Sequence, residues 1–203
     1  MNEENSIPSI LIHGLIYPAV LGSIFYSVFD LVDKTEDFGF LFFFKLALFL
    51  VVLAFFCCDY VYTVRTNPFE WSFFLIDIFV VCVLYVLYDA INLGVNGASP
   101  DVPWISGCCM GISLLYYVWD KFETDTQAPP DYLKKMFIWQ VSFFVANSVL
   151  LASSLVQLVP ASWLLTIQFA FMTIFCAWFW WLLINRSRNG RSSPQPVNIT
   201  TPR

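Results

Sequence analysis

Residues 38–64 read FGFLFFFKLALFLVVLAFFCCDYVYTV, with one lysine (Lys45), one aspartate (Asp59) and no proline. A helix needs about 20 mostly apolar residues to cross roughly 30 Å of hydrocarbon. This stretch therefore reads as a transmembrane helix, and it sets the class of the whole chain. Five more segments of similar character surround it. The expected spans are Ile7–Val32, Phe38–Val64, Phe69–Leu93, Trp104–Phe122, Tyr132–Leu158 and Ala161–Ile184.

The breaks between them carry their own signals. Asp33-Lys34-Thr35-Glu36-Asp37 is a charged turn, and Asn67-Pro68 ends the second span because proline biases the residue before it away from helix. Asn92 to Pro103 holds two glycines and two prolines, and Pro129-Pro130 falls in the next connection. Pro160 stands at a helix start, where a missing N–H costs nothing.

Composition agrees. The 203 residues are 59% hydrophobic and 12% charged, against about 25% charged in soluble domains. That balance excludes a disordered chain, a secreted disulfide scaffold and an ordinary cytosolic enzyme. The net charge of -5 argues against a nucleic-acid partner. The expected fold class is an all-α integral membrane protein, a bundle of six transmembrane helices over residues 1–186. Residues 187–203 are expected to form a short disordered cytoplasmic tail.

Orientation follows from lysine and arginine, which favour the cytoplasmic side. With six spans, that side receives Arg65, Lys121, Lys134, Lys135, Arg186, Arg188, Arg191 and Arg203, and the other receives Lys34 and Lys45. Both termini are thus expected in the cytoplasm, with the bacterial inner membrane as the expected location. Met1 to Ser6 has no basic residue, so the first span is expected to be retained rather than cleaved as a signal peptide.

The expected chemistry rests on carboxylates. The single histidine, His13, excludes a bis-histidine haem and an HExxH zinc site, and no nucleophile elbow or phosphate loop is present. No catalytic residue and no cofactor are expected, and a metal is left open. The six cysteines include two adjacent pairs, Cys57-Cys58 and Cys108-Cys109, but no C-x-x-C. Adjacent helical residues point about 100° apart, so neither doublet makes a chelate or a redox pair by itself.

Asp30, Asp59, Asp89 and Asp120 lie near the C-terminal ends of spans, where the helix dipole disfavours an acid. Asp77 lies deeper, about two turns into the third span. Three acids follow a tyrosine by four residues: Tyr26 and Asp30, Tyr85 and Asp89, Tyr116 and Asp120. Each pair shares a helix face. His13, Asp59 and Asp77 are expected at one depth, with Tyr17, Tyr60, Arg65 and Gln140 nearby. Such a group suits proton transfer or a divalent cation.

Small residues mark expected packing faces. Gly14, Pro18 and Gly22 recur every four residues in the first span, and Gly107 and Gly111 form a small-xxx-small motif in the fourth.

The leading functional expectation is a small polytopic membrane protein that conducts or carries an ion or small polar solute, with proton coupling. Its pathway residues are Asp77, Asp59, His13, Asp120, Asp89 and Asp30. The alternative is a non-transporting membrane component: an assembly partner, a lipid-organising protein or a membrane-perturbing effector. A membrane-embedded enzyme is the third reading. Expected partners are the lipid bilayer and either a second copy or another membrane protein.

Overall fold

A computed structural model of the chain describes residues 12–34, 39–66, 71–91, 99–123 and 130–189. Among them every regular element is helical. A π-helical turn, Ile12–Ile16, leads into α1 (Tyr17–Lys34). Then come α2 (Phe40–Thr66), α3 (Trp71–Asp89), α4 (Val102–Glu123), α5 (Pro130–Leu155) and α6 (Ala161–Asn189). Among the described residues four stretches are long and apolar enough to cross a membrane: Phe40–Val61, Val102–Lys121, Asp131–Leu155 and Ala161–Asn185. Gly14–Tyr26 is a shorter apolar helix segment, and α3 is a 19-residue apolar helix. The expected tail, residues 187–203, runs out of α6 and lies outside the described residues beyond Asn189.

The helix ends follow local chemistry. Pro18 has no N–H to give the Gly14 carbonyl, and the wider π turn sits immediately before it. Asp101 caps α4: its carboxylate accepts the Trp104 N–H at 3.2 Å, and its carbonyl takes the Ile105 N–H at 2.9 Å. Its own N–H donates to the Ala90 carbonyl at 2.8 Å, which ties the start of α4 to the end of α3.

The helix α5 stops three residues short of the expected Leu158. Leu158 N–H donates to the Ser153 carbonyl, and Gln157 N–H to the Ser154 carbonyl. Gln157 between them takes a left-handed conformation (φ 54°). That is a Schellman stop with glutamine at the position that favours glycine, so composition gave no warning of it. The Pro160 carbonyl then accepts the N–H groups of Trp163 and Leu164 and opens α6.

Neighbours run α2–α3–α4–α5–α6 and back to α2, while α1 rests against α3. The most extensive contact is between α4 and α5. Trp139 is fully buried at the centre. Its ring lies 4.9 Å from Phe179 and 5.2 Å from Phe143. Its indole N–H donates to the Phe175 carbonyl at 2.9 Å, so the polar edge of this large core side chain is satisfied. Phe55 stacks on Phe143 at 5.6 Å and extends this aromatic layer to α2.

The outward faces are apolar too. Leu50, Phe79, Val145, Val149 and Ile174 are exposed in mid-helix, as expected where lipid rather than water is the solvent. The glycine faces divide. Gly111 meets Val83 of α3, whose Cγ1 would lie 3.8 Å from an added Cβ. Gly22 and Gly107 would meet nothing within 4 Å, and Gly14 and Pro18 are exposed. The Gly14–Pro18–Gly22 stripe therefore points away from the described part of its own chain. Gly22→Leu is accordingly expected to change stability by no more than about 0.5 kcal/mol, measured by thermal melting of the purified protein. A larger loss would mean that a neighbour covers this face.

Candidate proton or cation site

Asp59 lies seven residues before the end of α2, and Asp77 six residues after the start of α3. At 1.5 Å per residue both sit about 10 Å in from the same end of the bundle. This is the end where α4 finishes and α5 begins. Asp59 is 1% exposed and Asp77 2%. The two carboxyls lie within electrostatic reach of each other.

Asp59 is held from two sides. Tyr17, the first residue of α1, donates its hydroxyl to Oδ2. Tyr116 of α4 donates to Oδ1 at 2.6 Å. Both tyrosines are buried. Aromatic neighbours fix Tyr17 in turn, with Phe56 at 5.1 Å and Tyr60 at 5.3 Å. One carboxyl therefore joins α1, α2 and α4. Asp77 is different: its Oδ2 is buried without a hydrogen-bond partner among the described residues. A buried polar oxygen in that state costs about 1–3 kcal/mol, and more when charged.

Of the remaining sequence candidates, Asp120 and Asp89 have described side chains. Asp120, 9% exposed, accepts the Gln140 amide at 2.6 Å, while the Gln140 Oε1 is buried and unpartnered among the described residues. Asp89 is exposed at the opposite end. The side chains of His13, Asp30 and Arg65 lie outside the described residues. Among the described residues no three histidine, cysteine or acidic side chains converge as a metal site.

Helical spacing alone does not decide where the Tyr116 hydroxyl bonds. Tyr116 reaches Asp59 of another helix rather than Asp120 of its own. Helical side chains lean toward the N-terminus, which carries Tyr116 away from Asp120. Tyr26 and Tyr85 are 74% and 47% exposed and face outward.

A second polar group lies toward the opposite end. Ser106 of α4 donates to the Gln168 Oε1 at 3.0 Å, and the Gln168 amide donates to the Asn147 Oδ1 at 3.1 Å. Asn147 donates to the Phe143 carbonyl at 2.8 Å. All three polar side chains are buried, as is Lys45 of α2 at the same end. Lys45, five residues after the start of α2, is 3% exposed. Sequence reasoning passed over Ser106 and Gln168. The available signal was a lone amide inside the apolar run Leu164–Met172, since polar groups in a span tend to face the bundle interior.

Two polar groups thus flank an aromatic layer. Phe55 separates Lys45 from Asp59 along α2, and Phe143 separates Gln140 from Asn147 along α5. Comparison with protein-family models, curated proteins and solved structures finds no match to this chain.

Proposed function

We propose that this chain is a six-span membrane protein, with both termini cytoplasmic and the bacterial inner membrane as its location, that carries a proton or small cation. Asp77 and Asp59 form the binding site. The observation that carries this reading is the pair of buried carboxyls, one held by two tyrosines and the other with a buried oxygen that has no hydrogen-bond partner among the described residues. An acid at the centre of a spanning helix costs about 2.5–3.5 kcal/mol on insertion scales, and Asp77, about 10 Å in from one end, carries part of that cost. A bound proton or cation at Asp77 offsets that cost. The tyrosines hold Asp59 at a fixed position, so the occupant meets a prepared second carboxyl.

The aromatic layer of Trp139, Phe55 and Phe143 stands between this site and the Ser106–Gln168–Asn147 group. Passage therefore requires side-chain or helix rearrangement, which favours a carrier over an open pore. Purified protein in liposomes containing a pH-sensitive dye tests the reading. Flux driven by a proton or cation gradient is expected, and protein-containing liposomes no leakier than empty ones overturn it.

Topology has its own test. In a cysteine-free background, a single cysteine placed in the tail is expected to resist impermeant thiol reagents in intact cells, and one at Ser99 to react. Labelling of the tail from outside overturns the six-span arrangement. The second reading, a non-transporting component that assembles with another membrane protein, is favoured by the open Gly14–Pro18–Gly22 face on α1. It predicts no flux and co-purification of a second chain.

A further inference from the structure

Two adjoining hollows of about 270 and 230 Å³ lie between α4 and α5. Tyr117, Phe137 and Gln140 line both, so the two form one groove. The larger hollow is lined by a lysine from each helix, Lys121 of α4 and Lys134 of α5, both exposed. The Lys121 ammonium stands over the Tyr117 ring at 5.5 Å. Tyr117 in turn meets Phe137 of α5 at 6.0 Å. Asp120 lines this hollow too, but it is 9% exposed and accepts the Gln140 amide at 2.6 Å. The exposed charge here is therefore that of the two lysines. The smaller hollow has no charged residue, and Leu114, Val141 and Phe144 form most of its wall. Leu114 and Val141 are about half exposed, so the groove opens on the outward face of the bundle.

The sequence orders these residues the same way on both helices. Leu114, Tyr117 and Lys121 follow one another on α4 in steps of three and four, and Lys134, Phe137 and Val141 do so on α5. Such steps keep each set on one helix face. Lys121 lies two residues before the end of α4, and Lys134 four residues after the start of α5. Both cations thus stand at the same end of the bundle, and both apolar tracks run inward from it.

We propose that this groove binds an anionic phospholipid, with its phosphate between Lys121 and Lys134 and an acyl chain along Leu114, Val141 and Phe144. Charge and order of the lining select this occupant. A soluble phosphate ester would use the lysines and leave the apolar hollow empty. A plain hydrocarbon would fill the apolar hollow and leave the lysines unused. A molecule anionic at one end and apolar behind it uses both, in the order the helices present them. Lysine stems lie along apolar surface while their ammonium groups stay at headgroup depth, and the Tyr117 ring holds the Lys121 ammonium by its negative face.

The test is native mass spectrometry of the purified full chain in detergent, titrated with phosphatidylglycerol or with phosphatidylcholine of the same acyl chains. The first phosphatidylglycerol is expected to bind about 25-fold more tightly, at roughly fivefold for each lysine beside an anionic headgroup. Lys121→Gln combined with Lys134→Gln should bring the two lipids to equal affinity. Lys135→Gln removes the same charge one residue away, from a lysine that stands over Trp181 at 5.8 Å instead, and should keep the preference. Val141→Trp, which fills the smaller hollow, should weaken both lipids. Equal affinities in the wild-type protein overturn the proposal. So does a preference that survives the double lysine substitution, or one that Lys135→Gln removes as fully. Unchanged binding by a folded Val141→Trp overturns the acyl-chain placement and the proposal with it. Displacement of the lipid by millimolar glycerol phosphate would make this a site for a soluble phosphate ester, and also overturns it.

Discussion

Asp77→Asn is expected to abolish flux while leaving the protein folded and at least as stable as wild type. The substitution keeps the shape of the side chain and removes its charge. Asp77 is buried, one of its oxygens has no hydrogen-bond partner among the described residues, and Asp59 is its electrostatic neighbour. Removing the charge relieves the burial of an ion and the repulsion between two acids whenever no proton or cation occupies Asp77. The stability gain should reach up to about 3 kcal/mol, the scale of the insertion cost of an aspartate in a spanning helix. Thermal melting of the purified protein, run beside the liposome assay, reads both effects. A loss of about 3–5 kcal/mol, typical when one member of a buried ion pair is removed, would show Asp77 to be structural and would remove the main support for transport.

Asp59→Ala is expected to move stability the other way. The substitution removes the carboxyl that accepts from the hydroxyls of Tyr17 and Tyr116, both buried. Each unsatisfied buried donor costs about 1–3 kcal/mol, so the variant should lose roughly 2–6 kcal/mol. The loss should be cooperative across α1, α2 and α4, because one carboxyl joins all three. A double-mutant cycle apportions it: Tyr116→Phe should cost much less in the Asp59→Ala background than in wild type. Equal costs in the two backgrounds would mean that the hydrogen bond contributes nothing to the fold. The two buried acids thus have opposite expected signs, although both are aspartates at similar depth on adjacent helices.

Helicity, membrane character and most helix boundaries were readable in the chain itself. Long apolar runs such as 38–64 have few ways to satisfy their backbone except as helices, and Asn67-Pro68 and Pro160 mark breaks by local chemistry. Asp59 and Asp77 were also readable as the acids to watch, because a charge in hydrocarbon is costly wherever its helix packs. The end of α5 was not readable, because its left-handed stop uses glutamine in place of glycine.

Partnership was decided only by tertiary structure. Tyr116 is four residues from Asp120 in sequence, yet its hydroxyl serves Asp59, because side-chain lean and the packing of α4 near α2 outweigh helical spacing. The outward turn of the Gly14–Pro18–Gly22 stripe likewise depends on which face α1 presents to α3. Cys58 and Cys176 come to line one groove because α6 returns to close the ring of helices against α2. A spanning helix that is apolar all round carries little information about which side faces lipid. Choosing the side falls to the few polar groups and the fit of large rings such as Trp139, and those contacts exist only once the helices have packed.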